Sequence, residues 1–285
     1  DPLRLYPSQI KIVLDELSGL HWLEMSCRNR LQFLLSLAAY TGDSGPSAYS
    51  GDSQLPVSLF EELINLAPIA SPRRTLVATA SSELFLARMV EKWGIKSFVA
   101  SGWNARRMNN IARKLILSGY VKEWDEAVTV SFDSLETVDE RFDNCLVDCH
   151  CVPQLTPRLA GGGASKGRFA VQMECLLRCH TLLKRNGLLF MIVPLSLAAS
   201  DRYRKWREEV ERIFELKATI RMPSFTSKRH GSAAILAVFL RRDEMVDVLR
   251  KPQDVFIGTR CSLTGDCDAD RQLMVKLNGF LARYI

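Results

Sequence analysis

The order of apolar stretches between residues 74 and 242 limits the possible folds more than any other feature of this sequence. Short apolar stretches typical of strands alternate there with segments in which apolar residues recur every three or four positions, the spacing of a helix. Such an alternation indicates βαβ units around a mainly parallel sheet, and hence a doubly wound α/β fold. The predicted strands cover 74–80, 95–100, 127–132, 142–149, 187–193, 215–222 and 233–242, and the predicted helices cover 82–93, 104–118, 168–184 and 201–214.

The predicted sheet has seven strands, and its last two strands are joined as a hairpin. This layout is typical of a Rossmann-like class I methyltransferase fold. In open sheets of this kind, ligands bind beyond the carboxyl ends of the strands, where the strand order reverses. Candidate site residues are therefore expected just after residues 80, 100, 132, 149 and 193.

Weaker patterns flank this region. Before it, apolar residues at helical spacing predict two helices, and the Gly-, Ser- and Asp-rich stretch "TGDSGPSAYSGDSQ" predicts a linker. After it, the periodicity is weak. We predict three parts: a helical N-terminal appendage with its linker over 1–50, a methyltransferase-like domain over 51–242, and a C-terminal tail over 243–285.

Composition narrows the classes of function. The apolar stretch "GLLFMIVPLSLAA" is shorter than the roughly 18 to 20 residues that span a bilayer, so no membrane role is expected. The 8 cysteines have no paired spacing, which favours buried thiols in a reducing, intracellular compartment over secreted disulfides. The formal net charge of +6 is a modest indication of a polyanionic partner.

The ends of the first three strands offer positions for a nucleotide-type cofactor, although the residues there are unusual. The turn after the first strand contains Ala78, Ala80 and Ser82 but no glycine, so a simple strand-to-helix turn without a ligand is the alternative. After the second strand come Gly102 and Trp103, and no carboxylate is present there to bind the ribose hydroxyls. For Trp103 two roles are open: it stacks on an adenine, or it belongs to the core. For Asp133, which follows the third strand, two roles are open: it contacts the exocyclic amine of an adenine, or it caps a turn.

The fourth strand ends in "FDNCLVDCHCVP", where an acid, two cysteines and a histidine come together. Three interpretations are open. The first is a zinc site made of these thiols and His150; Cys175, Cys179 and His180 lie on a later predicted helix. The usual CxxC pairs are lacking, so we expect no metal. A thiol nucleophile with His150 as base is disfavoured because adjacent residues of a strand point to opposite faces. The third interpretation is a buried strand end or a vestigial substrate turn.

Several segments together resemble the Sun-domain (NSUN) RNA cytosine-C5 methyltransferases, most closely the mitochondrial ribosomal-RNA type. The likeness covers roughly residues 51–199, from "GDSQLPVSLFEELINLAP" through "FDNCLVDCHC" to "LLKRNGLLFMIVPLSLA". In that family the fourth-strand turn is Asp-x-Pro-Cys, and the next strand ends in a turn whose cysteine attacks cytosine. Asp148 and Cys151 keep their places here, whereas Leu195 stands where the attacking cysteine belongs.

This resemblance implies a catalytically inactive methyltransferase-like protein that needs no S-adenosylmethionine. It would bind ribosomal RNA in an assembly intermediate of the mitochondrial large ribosomal subunit, with an mTERF-type helical-repeat protein as partner. The alternative is an active S-adenosylmethionine-dependent RNA or DNA methyltransferase that acts on cytosine C5 or adenine N6. The segment "LLKRNGLLFMIVPLSL", followed by "YRKWREEVERIFELKATIRMPS", is compatible with an adenine-N6 enzyme, although "DCHC" supplies only the acid of the expected turn.

Basic side chains are the candidates for contacts with RNA phosphates, since such contacts depend on Lys and Arg and not on a catalytic turn. Solvated faces without a ligand are the alternative. The candidates are Arg106, Arg107, Lys166, Arg168, Lys205, Lys228 and Arg229, with Arg202 and Arg204 beside Lys205.

Overall fold

The computed structural model of the 285-residue chain describes thirteen stretches. They are residues 22–40, 74–78, 83–93, 98–102, 105–120, 129–131, 141–149, 168–223, 225–226, 231–232, 234–246, 254–262 and 267–284. The first of the two helices predicted for the N-terminal appendage lies outside them.

The described residues form seven α-helices and ten strands. The helices are α1 (Cys27–Tyr40), α2 (Glu83–Trp93), α3 (Ala105–Leu117), α4 (Arg168–Leu182), α5 (Leu195–Ala199), α6 (Arg204–Ile213) and α7 (Asp268–Leu281). The strands are β1 (Thr75–Val77), β2 (Phe98–Gly102), β3 (Thr129–Ser131), β4 (Phe142–Asp148), β5 (Leu183–Pro194), β6 (Phe214–Arg221), β7 (Phe225–Thr226), β8 (Gly231–Ser232), β9 (Ala234–Arg241) and β10 (Phe256–Thr259).

Eight of these strands form one sheet in the order β3-β2-β1-β4-β5-β9-β6-β10, and β7 and β8 form a separate two-stranded ribbon. Within the large sheet β9 runs antiparallel to both of its neighbours, β5 and β6, while the other pairs are parallel. The carboxyl ends of the seven parallel strands therefore lie on one edge. The predicted α/β class, the helices on both faces and the pairing of the last two predicted strands are confirmed.

The core consists of two apolar layers, one on each face of the sheet. Alternate residues of β5 supply both layers: Leu188 and Phe190 face one side, and Leu189 and Met191 face the other, all buried. Such a two-sided strand is a continuous apolar stretch in sequence, which explains why its position was predicted well. Helices α1, α2, α3 and α7 cover the first face, and α4, α5 and α6 cover the second.

The C-terminal region differs from its prediction as a weakly patterned tail. Strand β10 adds an eighth strand beside β6, where seven strands were predicted, and α7 packs on the first face through the fully buried Leu277 and Leu281. The sequence pattern is weak because only alternate residues of β10 turn inward; Ile257 is 78% exposed. Gly258 allows the close approach of α7, because a Cβ atom at that position would lie 2.5 Å from Leu273 Cδ1.

His180 near the end of α4 gives the stability of this core a dependence on pH. Its Nε2 lies 2.8 Å from the carbonyl oxygen of Arg242, and its ring meets Phe214 edge-on. Burial lowers the pKa of His180 below its usual value of 6.5, because the charged imidazolium is disfavoured there; the hydrogen bond to Arg242 opposes this effect.

We therefore expect the free energy of unfolding to fall as the pH drops below 6.5, because the unfolded chain takes up a proton at His180 before the folded protein does. Urea denaturation at about pH 7.5 and about pH 5.5 measures this difference. The variant His180→Asn should lose less stability between these two pH values than the parent protein. An equal loss in both proteins would contradict a role for His180.

Candidate functional site

The strand order reverses between β1 and β4, which makes the carboxyl ends of these two strands the expected ligand site. The chain from β1 through α2, β2 and α3 to β3 moves toward one side of the sheet and keeps its helices on the first face. From β4 the chain moves to the other side through α4, which lies on the second face, to β5. The two connections therefore diverge above β1 and β4, where open α/β sheets hold their ligands, and we call the place between them the crevice.

Three of the predicted site positions meet at this crevice. Val77 pairs with Ala100 of β2 and with Leu146 of β4, so Gly102 and Asp148 stand level with each other, each two residues further along its strand. Because β1 separates them and adjacent strands are about 4.8 Å apart, their backbones are roughly 10 Å from each other. Ala78 follows β1 between them and is fully buried.

Backbone hydrogen bonds hold this edge in place beyond the last residues of the strands. The N–H of Ala78 donates to the carbonyl oxygen of Leu146 at 2.9 Å, and the N–H of Cys149 donates to that of Ile192, also at 2.9 Å. The ladders β1–β4 and β4–β5 therefore extend into the turns. The floor of the crevice is a fixed part of the sheet.

The segment after β5 forms the next part of the edge. Pro194 precedes α5, Leu195 is the half-buried first residue of that helix, and Ser196 is exposed. The guanidinium of Arg207 donates to the carbonyl oxygens of Leu197 at 3.1 Å and Ser200 at 2.8 Å, which ties α6 to this segment. Arg207 was not identified as a site residue from sequence, because its role depends on the turn between α5 and α6.

Two thiols of the segment "FDNCLVDCHCVP", Cys145 and Cys149, belong to the core together with two thiols of α4. Cys145, Cys149, Cys175 and Cys179 are all buried in the second layer, between β4 and α4. The pKa of Cys179 is raised well above 9.0, first because of its hydrogen bond with Cys145 and further because of burial, although a hydrogen bond with Cys175 acts in the opposite direction. Buried thiols that stay protonated are poor nucleophiles. Cys149, which is 1% exposed, agrees with the interpretation as a buried strand end.

The described structure covers the other predicted residues only in part. The backbone places Arg106 and Arg107 in α3 and Arg168 at the start of α4, and it places Gly102 and Asp148 as described above. Lys205 is exposed near the start of α6, beside Arg204, which pairs with Glu208 at 2.9 Å. Outside the described residues lie Ala80, Ser82, Trp103, Asp133, His150, Cys151, Lys166, Lys228 and Arg229.

The helices of the described chain include none that is both long and apolar enough to cross a membrane.

The fold is shared with known methyltransferase structures, although no protein-family model and no curated protein sequence matches the chain. A Listeria monocytogenes protein assigned to the class I S-adenosylmethionine-dependent methyltransferases is similar with a TM-score of 0.66 and 15% identity, over 98% of this chain and 86% of that one. A modification subunit assigned to a type I restriction enzyme of Vibrio vulnificus has a TM-score of 0.59 and 14% identity, over 97% of this chain and 62% of that one.

These comparisons concern the fold, because identities of this size do not carry function. They support the Rossmann-like class I methyltransferase fold, including its extension through most of the chain. Neither structure is described as an NSUN protein, so the narrower resemblance to that family stays a prediction. So do the mitochondrial location, the ribosomal assembly intermediate and the mTERF-type partner.

Proposed function

We propose that this chain is an S-adenosylmethionine-dependent methyltransferase that acts on an exocyclic amino group of a nucleic-acid base. The observation that carries the proposal is the alignment of Ala78, Gly102 and Asp148 along one fixed edge at the reversal of strand order. In open α/β sheets this is where a nucleotide-type ligand binds. It corresponds to the alternative of the sequence analysis, which the shared fold favours over a silent assembly factor.

The cofactor is expected to bind weakly. Gly102 ends β2 at the position where a carboxylate usually accepts hydrogen bonds from the ribose hydroxyls. A hydrogen bond to a charged group contributes about 1.5–3 kcal/mol, so its loss weakens binding by roughly 10- to 100-fold. Gly102, which has no side chain, still lets the backbone approach the ligand closely.

Transfer to an amino group fits these residues better than transfer to cytosine C5. The C5 reaction needs a thiolate that attacks the base; among the described residues of these two turns, Leu195 follows β5 and Cys149 is enclosed in the core. When bound, S-adenosylmethionine would supply an electrophilic methyl group to the lone pair of the amine, and the proton that the methylated nitrogen loses would pass to water. Asp148 would accept a hydrogen bond from the amine and orient its lone pair toward the methyl group.

A nucleic-acid substrate is supported by charge. The chain has a formal net charge of +6, and Arg202 and Lys205 are exposed near the segment that follows β5. Phosphate contacts from such side chains contribute affinity that falls with salt. A base inside a duplex must leave the stack to reach the crevice, which favours single-stranded or distorted substrates.

We expect Asp148→Ala to reduce the rate of methyl transfer by about 100-fold or more while S-adenosylmethionine affinity changes by less than about threefold. Tritiated methyl transfer to single-stranded DNA and RNA measures the rate, and calorimetry measures cofactor binding. Asp201→Ala changes another acid near this edge, one that is exposed, and serves as the control with unchanged transfer.

Two results separate this proposal from the silent factor. Cofactor binding without methyl transfer to any nucleic acid would contradict the proposed enzyme activity, but it would still agree with a cofactor site in the crevice. Absence of both cofactor binding and transfer, with salt-dependent RNA binding retained, would favour the catalytically inactive ribosomal-RNA-binding factor.

A further inference from the structure

Two thiols and one carboxylate come together where β10 leads into α7, outside the candidate site. The Sγ atoms of Cys261 and Cys267 and a carboxylate oxygen of Asp270 all lie within 4.8 Å of one another. Cys261 lies just beyond the end of β10, Cys267 directly precedes α7, and Asp270 is the third residue of that helix. We propose that this group binds one divalent metal ion of the zinc type.

The spacing of the three atoms suits a small tetrahedral ion. Zn²⁺ binds thiolate sulfur at about 2.3 Å and carboxylate oxygen at about 2.0–2.2 Å. Two sulfurs on one such ion are therefore about 3.8 Å apart, roughly 1 Å less than the upper limit observed here. Cys261 is exposed and Cys267 is half-buried, so rotation of their side chains can bring the two sulfur atoms closer together by this distance.

The carboxylate is already held in a fixed orientation. Oδ1 of Asp270 accepts the N–H of Cys261 at 2.7 Å, and Oδ2 accepts the N–H of Ser262 at 2.8 Å. A carboxylate oxygen can accept more than one contact, so each still has a lone pair for a metal ion. Ligands oriented in advance by hydrogen bonds are typical of metal sites.

Charge balance favours a soft divalent ion at this place. Nε of Arg260 lies 3.8 Å from Oδ2 of Asp270, both side chains are buried, and their charges cancel. Two thiols that lose their protons to bind M²⁺ add two negative charges, which balance the two positive charges of the ion. The metal site together with the Arg260–Asp270 pair therefore stays neutral. Mg²⁺ or Ca²⁺ prefers oxygen ligands and does not displace thiol protons as readily.

The other described thiols do not offer such a site. Cys145, Cys149, Cys175 and Cys179 are enclosed by the core, and Cys27 accepts a hydrogen bond from Arg30 at 3.7 Å. Because β10 is parallel to β6, the proposed metal site lies on the same edge of the sheet as the crevice but beyond β5, β9 and β6. Its role is therefore to hold β10 and α7 together, independently of the proposed enzyme activity.

Titration of the reduced, chelator-treated full chain with Co²⁺ tests this proposal. One equivalent should produce the thiolate-to-cobalt charge-transfer band, and Zn²⁺ should abolish it by displacement. Cys261→Ser and Cys267→Ser should each weaken Co²⁺ binding by about 100-fold or more, whereas Cys27→Ser should leave it unchanged. Thermal unfolding with chelator present verifies that each serine variant is folded.

The proposal is overturned if the reduced protein gives no charge-transfer band, or if the band persists in both serine variants. Formation of a Cys261–Cys267 disulfide by oxidised glutathione, in a protein that binds no Co²⁺ when reduced, would identify the two thiols as a redox pair instead. Since S-adenosylmethionine takes no part in this experiment, its outcome is separate from that of the methyl-transfer assay.

Discussion

Replacing Asp270 with alanine is expected to lower the free energy of unfolding by about 3–5 kcal/mol, measured by urea denaturation with a chelator present. The carboxylate is 1% exposed and faces the buried guanidinium of Arg260. Its removal leaves a buried positive charge without this counter-charge and takes the acceptor from the N–H groups of Cys261 and Ser262. Each of these losses carries a desolvation penalty.

Asp268→Ala is the matched control for this variant. Asp268 lies in the same helical turn, but it is exposed and pairs with Arg271 at 3.1 Å on the surface. Its removal should cost about 1 kcal/mol or less, from a surface ion pair and the helix dipole. Equal losses in the two variants would mean that the Arg260–Asp270 pair contributes little to folding.

The sequence predicted those parts of the fold in which burial produces a regular pattern. Strand β5 is buried on both faces, and α6 buries one face through Trp206, Val210 and Ile213. Strand β10 has four residues with only alternate ones turned inward, and the fully buried residues of α7 are few. A short edge strand and a helix that covers it therefore have weak periodicity, and tertiary packing decides their structure.

The candidate site was predictable to the extent that it depends on where strands end. Gly102 and Asp148 were placed at strand ends from sequence, and the register sets them level. The burial of Cys149 was not decidable from its own segment, because it depends on Cys175 and Cys179 of α4. The group at Cys261 was missed for a similar reason: its third member is one turn into a helix, and five residues separate its cysteines.

Leu277→Ala is expected to cost about 2–5 kcal/mol of unfolding free energy, the second large effect that follows from this structure. Leu277 is fully buried in the first layer, where α7 packs with Leu281 against the sheet. Alanine removes the apolar contacts of the side chain and leaves a cavity that a close-packed core refills only in part.

Val275→Ala tests the same helix on its opposite side. Val275 is 70% exposed, so its truncation removes little buried surface, and alanine has the higher helix propensity. Its effect should therefore be within about 0.5 kcal/mol of zero. If Leu277→Ala were equally harmless in urea denaturation, α7 would not share the cooperative unit of the sheet, and residues 268–281 would behave as the tail that the sequence pattern predicts. A large difference between the two variants instead requires that the C-terminal helix folds together with the sheet. Only a shared core makes the truncation of Leu277 so much more destabilising than that of Val275.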